Sequence, residues 1–149
     1  MNTYQLNTIE DALTILEYFN YFHDGFIKRI IITSRDEFET DKSQTCTGIF
    51  DIEIDFAHYN YGQGIPLYNQ KIKAKFQKVT DICFDLREVT VDWVINRVDI
   101  IERKRTDYWR KTEDCLAVRL MRSKLSEGNE WELVEAEIFT FSEAIIIEE

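Results

Sequence analysis

The sequence predicts an α+β protein, with one N-terminal helix packed on a curved, mainly antiparallel β-sheet or sandwich of six to seven strands. Two changes of pattern lead to this fold class. Apolar residues between positions 9 and 20 recur at the 3.6-residue period of a helix, and after position 25 the period falls to two. The two-residue period then returns in several segments separated by polar stretches. Strands that follow a single helix indicate a sheet with that helix packed against it.

Length and composition predict one folded domain over residues 1–149. Domains cluster near about 100–150 residues, so a second hydrophobic core would lack material. Hydrophobic residues make up 44% of the chain, and ten Phe, seven Tyr and three Trp supply bulky side chains for one core. A disordered chain would lack these aromatic residues, so the composition excludes that class.

Charge and targeting patterns predict an acidic, cytoplasmic protein that binds neither nucleic acid nor a membrane. The formal net charge of −10 opposes contact with phosphate groups. The first residues show no signal-peptide pattern, and no apolar run approaches the ~18 residues of a membrane span. Cys46, Cys83 and Cys115 form no CxxC pair and fit a reducing compartment. We expect Cys83 and Cys115 to be small hydrophobic residues of apolar strands.

The predicted helix has a clear start and a less clear end. Thr8 can cap its first turn, where Glu10 and Asp11 place negative charge against the positive end of the helix dipole. We expect the helix to end near Tyr21–His23, before Gly25.

The rest of the chain is predicted to consist of strands and polar connections. The predicted strands are 26–33, 50–56, 71–76, 79–86, 90–101, 115–121 and 131–141, with 145–147 either a further short strand or the end of the last one. We expect the first strand to be buried on both faces for part of its length. The polar stretches 34–45 and 103–111 are expected to be connections.

Two of these strands predict a specific antiparallel register. Apolar residues alternate with acids over 50–56 and with lysines over 71–76. If partner numbers sum to 126, every acid faces a lysine and every apolar residue faces another. The predicted pairs are Asp51 with Lys75, Glu53 with Lys73, Asp55 with Lys71, Phe50 with Phe76, Ile52 with Ala74 and Ile54 with Ile72. A slip of one residue would turn the apolar set to water.

The loop at residues 57–70, between those two strands, is a candidate binding site. It is long, aromatic and contains the one proline of the chain. Loops of this length are uncommon unless they carry a function or are mobile. Tyr59, Tyr61 and Tyr68 lie in it, and tyrosine is favoured at protein interfaces. We therefore expect this loop to contact a protein partner.

The two histidines define a second candidate site. His23 and Asp24 are adjacent where the helix gives way to the first strand, and His58 lies in the loop. Two histidines and one carboxylate can hold a metal ion with open positions for a substrate. In the structural alternative, Asp24 braces the turn and His23 packs there. The spacing does not require His58 to return to the other two residues.

Residues 125–149 carry eight acidic residues and no basic one. One interpretation is internal, because a strand with Arg119 and Arg122 can pair with the acidic strand that follows it. The other is an acidic surface, including Glu143 and Glu148, that faces a basic protein.

The chain resembles a known family over Phe22–Ile32. There a short helix ends in Phe-His-Asp-Gly, an Ile-x-x-Ile-x-Ile strand follows, and the rest of the chain is rich in strands. This layout is similar to that of some immunity proteins of bacterial polymorphic-toxin systems and of related small bacterial proteins. The resemblance implies an intracellular, non-catalytic protein that binds and blocks a toxin.

Two functional hypotheses follow from the sequence. The first is a non-catalytic protein-binding domain without a cofactor. Its most specific form is an immunity protein that neutralises a basic toxin through an acidic face and the 57–70 loop. The alternative is a small-molecule or metal-dependent activity centred on His23, Asp24 and His58. The sequence leaves the oligomeric state open.

Overall fold

One helix precedes most of the strands, as the sequence predicts. The structure is a computed structural model that describes residues 1–38, 40–41, 44–45, 47–58, 70–84, 91–106, 110–125 and 127–149. Its elements are β1 (Asn2–Leu6), α1 (Ile9–Tyr18), β2 (Gly25–Ser34), β3 (Glu37–Phe38), β4 (Gln44–Thr45), β5 (Phe50–His58), β6 (Gln70–Val79), β7 (Val91–Thr106), β8 (Thr112–Leu125), β9 (Trp131–Phe141) and β10 (Glu143–Glu148).

The main sheet is open, antiparallel and eight-stranded, in the order β1-β10-β6-β5-β2-β7-β8-β9, and β3 and β4 form a separate pair. The α+β class is therefore confirmed, whereas the prediction of six to seven strands is wrong. β1 was not anticipated because it is short and mostly polar, and it forms as an edge against β10. The predicted strand at 79–86 is not regular over its described residues 81–84.

The sheet is strongly curved. β9 and β10 are joined by Ser142 alone, although β9 lies at one end of the strand order and β10 near the other. Seven strands, together with the helix, contribute side chains to one apolar space of about 20 Å³. These side chains are Leu16, Phe22, Ile27, Ile54, Phe56, Ala74, Phe76, Val98, Ile100, Val118, Leu120, Ile138 and Ile146. The core thus lies inside the curve, and the helix packs into its concave side.

The start of α1 confirms the predicted cap, but its end does not match. The Asp11 amide donates to Thr8 Oγ1 at 3.1 Å, and the Thr8 amide donates to Asp11 Oδ2 at 3.2 Å. The helix then ends at Tyr18, before the predicted Tyr21–His23. The backbone turns left-handed at Asn20, with a φ of 49°, and asparagine tolerates this conformation at a helix end.

The β5–β6 pairing is real, but its register differs from the prediction by two residues. Glu53 lies opposite Lys75 and Asp55 opposite Lys73, so partner numbers sum to 128. The shift keeps every side chain on its predicted face. It also extends both strands towards the loop, where Phe56 meets Ile72. A bulge near Phe50 ends the regular pairing at the other side.

Several local expectations are also corrected. β2 is not buried on both faces, because Phe26, Ile31 and Ile32 are exposed. The first four residues of the predicted connection 103–111 are strand, since β7 runs to Thr106. Cys115 is buried as expected, whereas Cys83 is exposed.

Arg105 is a buried cation that ties the curved sheet together. Its guanidinium donates to Glu113 Oε1 at 2.7 Å, to the carbonyl oxygen of Lys78 and to the hydroxyl of Ser142. It therefore links the ends of β7, β8 and β6 with the junction between β9 and β10. A buried arginine is tolerated when its donors find such partners.

Candidate functional site

The predicted bounds of the 57–70 loop are wrong at both ends, because Ala57 and His58 belong to β5 and Gln70 belongs to β6. His58 and Gln70 are direct partners at the ends of β5 and β6. The predicted contact residues Tyr59, Tyr61 and Tyr68 lie outside the described residues.

The two predicted acidic contacts on β10 do not form one patch. Glu143 is exposed at the start of the strand and Glu148 lies at its end, which at ~3.4 Å per residue separates them by about 17 Å. Glu148 is already engaged, because Oε2 accepts from the Tyr4 hydroxyl at 3.0 Å and Oε1 accepts from the Gln70 amide. Only Glu143 of this pair has an exposed side chain.

A buried polar cluster of Tyr4, His58, Gln70 and Glu148 lies at the base of the loop. Burial raises the pKa of the Tyr4 hydroxyl, with further contributions from hydrogen bonds to Tyr18 and Glu148. Burial lowers the pKa of His58, and its neighbours Gln70, His23 and Asp24 offset this only in part. The cluster therefore holds a neutral tyrosine and favours a neutral imidazole.

His58 is 2% exposed and has unusual surroundings for a polar side chain. Within the described part of the chain, neither ring nitrogen has a hydrogen-bond partner, and Gln70 Oε1 also has none. The ring instead packs against Phe22, at 5.5 Å between ring centroids, and against Phe19 at 6.4 Å. Aromatic packing, rather than hydrogen bonding, positions this imidazole.

His23 and Asp24 lie next to this cluster but point into more exposed surroundings. His23 Nδ1 is 2.9 Å from the carbonyl oxygen of Asn96, and Nε2 is 3.6 Å from Asp24 Oδ2. Both side chains are about half exposed. A left-handed turn over Asn20–Phe22 places them there and sends Phe22 into the core.

The described residues contain no group of three His, Cys, Asp or Glu side chains arranged to hold a metal ion. Two surface clefts, of about 560 and 520 Å³, lie elsewhere and are not lined by His23, Asp24 or His58. The structure brings the three residues into one region without giving them the geometry of a two-His-one-carboxylate site.

Cys115 lines the larger cleft, beside the first turn of α1. Burial raises the pKa of its thiol, with opposing effects from Arg105 and Glu113. A thiol with a raised pKa is a weaker nucleophile at neutral pH than an ordinary cysteine, because the thiolate is the reactive form. Its surroundings are those of a structural cysteine.

The acids of β5 are neutralised within the sheet. Arg29 Nε lies 2.7 Å from Asp55 Oδ2, Lys73 Nζ lies 3.1 Å from Glu53 Oε1, and Arg35 Nη2 lies 2.8 Å from Asp51 Oδ1. The prediction that lysines neutralise these acids therefore holds for Glu53 and Asp55, which Lys73 contacts, whereas Asp51 is paired by Arg35. β5 offers no excess of negative charge to a partner.

The first half of β9 is a surface that sequence reasoning missed. Trp131 and Leu133 are 61% and 63% exposed, and they share one face of the strand with Glu135 and Glu137. Glu135 pairs with Arg119, and Glu137 Oε1 lies 2.8 Å from Arg103 Nε. The predicted pairing of the C-terminal acids with the strand of Arg119 thus holds for Glu135, whereas Glu137 is paired by Arg103 of β7.

The sequence does not predict this surface. In 131–137 apolar residues occupy both faces of the strand, which predicts burial on both faces. The structure instead places this half of β9 at the end of the sheet, beyond the core, so that only Val134 is partly covered. We call residues 131–137 the β9 surface.

The fold and the described surfaces define the class of protein. It is an α+β protein with one helix in the concave side of an open, eight-stranded antiparallel sheet. Within the described residues, no helix is long and apolar enough to cross a membrane. No protein-family model, no curated protein and no solved structure matches the chain.

Proposed function

We propose that this chain is a non-catalytic domain that binds a basic protein. The observation that carries this proposal is the exposure of Trp131 and Leu133 on an edge strand. Large apolar side chains exposed together are typical of interaction sites, and tryptophan is enriched among residues that dominate binding energy. These two residues lie among glutamates, which favours a partner of positive charge.

The distribution of charge supports the same partner. All eight charged residues from 125 to 149 are acidic, while the acids of β5 are matched by cations within the sheet. The acidic excess is therefore concentrated away from β5 and includes the exposed residues Glu127, Glu132 and Glu143. Long-range attraction from such a surface speeds association with a basic partner and weakens in salt.

The specific form that we propose is an immunity protein that neutralises a basic toxin. Its support is the resemblance over Phe22–Ile32 together with the acidic, apolar β9 surface. In this form the 57–70 loop is the second contact, with Tyr59, Tyr61 and Tyr68 reaching the toxin. Neutralisation then requires only that the bound protein covers the site through which the toxin acts.

Affinity capture tests the protein-binding function. The tagged chain is recovered from its own cells and eluted with increasing salt, and the eluted proteins are identified by mass spectrometry. We expect one specific basic partner that elutes as salt screens the charges. Recovery of no specific partner, or of an acidic one that resists salt, would contradict the proposal.

Co-expression tests the immunity form separately. The captured partner is expressed alone and together with the chain in a neutral host. We expect growth arrest in the first case and growth in the second. A partner that is harmless alone would remove the immunity form and leave the protein-binding function standing.

A further inference from the structure

The backbone edges of β1, β2 and β9 differ in how well they are protected against pairing with another strand. β1 is only five residues long. β2 pairs with β7 only through Gly25 and Phe26, and its open edge beyond them carries a bulge and the cations Lys28 and Arg29. Short length, bulges and charged side chains, lysine above all, are common devices that keep an edge from pairing. The β9 surface is longer than β1, and its charged side chains are glutamates, which do not oppose a basic segment.

The C-terminal part of β9, from Ile138 onwards, already has backbone hydrogen-bond partners on the same edge. Thr80 and Thr140 exchange amide hydrogen bonds of 3.0 and 2.9 Å, and the Cys83 amide donates to the Ile138 carbonyl at 2.7 Å. N-terminal to Ile138, the backbone of the β9 surface hydrogen-bonds only to β8 among the described residues. The register shift of β9 against β8 also lies at Ile138, so residues 131–137 are regular strand.

We infer that the β9 surface binds its partner by strand addition, pairing an extended basic segment along the backbone edge that has no partner strand among the described residues. This inference rests on the proposed function and names the binding mode and the chemistry of the segment. In an antiparallel strand alternate residues direct their N–H and C=O groups to opposite neighbours, so every second residue of 131–137 faces the open edge. Main-chain pairing supplies affinity, while Trp131 and Leu133 offer apolar contacts to alternate side chains of the added strand.

Charge selects a basic segment over a second copy of the chain. Two copies paired through this edge would bring the exposed Glu132 of each strand towards the other, while Glu135 and Glu137 are already paired with Arg119 and Arg103. Like charges across a strand pair are destabilising, and each copy also carries a net charge of −10. A lysine- or arginine-bearing segment replaces this repulsion with attraction.

The test uses the full chain and a heptapeptide of alternating lysine and valine as the probe. Amide hydrogen exchange is followed residue by residue by NMR with and without the peptide. At a peptide concentration tenfold above its dissociation constant, we expect about tenfold slower exchange at every second amide of 131–137 and little change at the others. The same peptide methylated at the amide nitrogens of one edge should bind about tenfold more weakly or worse.

Matched variants distinguish binding at the β9 edge from nonspecific electrostatic attraction between the acidic protein and the basic peptide. Glu132→Gln on the β9 surface should weaken binding of the peptide about two- to fivefold, whereas Glu17→Gln, at an exposed position of α1, should leave it unchanged. A heptapeptide of alternating glutamate and valine should not bind.

Three outcomes would overturn the inference. Peptide binding without alternating protection would show attraction without strand addition, and equal effects of the two variants would place binding elsewhere. Protection of these amides in the chain alone, with a dimer in sedimentation equilibrium, would show that a second copy occupies the edge. Capture of a basic partner alongside any of these results would preserve the proposed function while rejecting this mode of binding.

Discussion

Position 25 requires glycine because three parts of the chain come close together there. A Cβ at this position would lie 2.9 Å from the carbonyl oxygen of Phe22, and 3.4 Å from the carbonyl oxygen of Ala57 and from His58 Cδ2. The nearest of these atoms is backbone, which cannot move aside as a flexible side chain does. The glycine therefore allows the turn after α1 to pack directly on β5.

Gly25→Ala should destabilise the protein by about 1–3 kcal/mol, because the added methyl group forces apart backbone that is already in contact. Urea unfolding followed by circular dichroism measures this change. An unchanged midpoint and slope would contradict the close approach.

His58 gives the protein a pH-dependent stability. Its pKa in the folded state lies below its ordinary value of 6.5 because burial disfavours the charged ring. As the pH falls below 6.5, the unfolded chain takes up a proton here before the folded chain does. The free energy of unfolding should therefore decrease from pH 6.5 down to the folded-state pKa and show no contribution from this residue above that window.

His58→Gln removes this titration while keeping a polar side chain. Urea unfolding of both proteins between pH 5 and 8 gives the difference in their free energies of unfolding. We expect this difference to change as the pH falls below 6.5, with the parent losing more stability. Parallel pH profiles would show that His58 is not shifted by burial.

At the residue scale the sequence predicted what depends on near neighbours. The cap formed by Thr8 and Asp11 is a local pattern, and it is present. The left-handed turn over Asn20–Phe22 was not predictable, because Tyr21 and Phe22 rarely adopt positive φ. Tertiary contacts accompany it: the Tyr21 ring packs 3.9 Å from Arg97 Cζ and Phe22 enters the core.

At the scale of elements, alternation predicts which face a residue occupies but not the register. A slip of two residues preserves both faces of β5 and β6, so the sums 126 and 128 satisfy the same pattern. The choice between them depends on contacts beyond the pair, such as the Lys78 amide that donates to Asp51 Oδ1 at 3.2 Å. The missed β9 surface has a similar cause, since position in the sheet decides whether an apolar strand is covered.

The 57–70 loop carries a prediction that is independent of β9. Tyr59→Ala with Tyr61→Ala should abolish partner binding and leave the thermal transition nearly unchanged, because the sequence predicts that both residues lie in a connection rather than in the core. Binding by isothermal titration calorimetry and melting by calorimetry measure the two properties. Retained binding would move the interface away from this loop.

At the scale of the whole molecule, Arg105 holds the curved sheet together, so its replacement should lower the free energy of unfolding. Arg105→Met would leave the Lys78 carbonyl and the Ser142 hydroxyl without their donor and should cost about 1–3 kcal/mol. Arg103→Met is the matched control, since Arg103 makes an exposed ion pair with Glu137 and its loss should cost less than about 1 kcal/mol. Equal costs in urea unfolding would show that Arg105 does not hold the sheet.

The overall class was predictable because periodicity and the single helix are properties of the whole chain. The sequence does not distinguish a curved sheet from a sandwich, since the difference depends on which distant strands meet. The junction at Ser142 and the contact between Thr80 and Thr140 bring such strands together, and neither has a pattern of its own in the sequence.

The most direct test of the central claim compares two pairs of exposed apolar residues as binding anchors. The dissociation constant of the captured partner is measured for Trp131→Ala with Leu133→Ala, and for Ile31→Ala with Ile32→Ala on β2. The first pair should weaken binding at least about a hundredfold, and the second should change it by less than about threefold, with similar melting for both. Equal affinities for the two double variants would contradict a protein-binding role for the β9 surface.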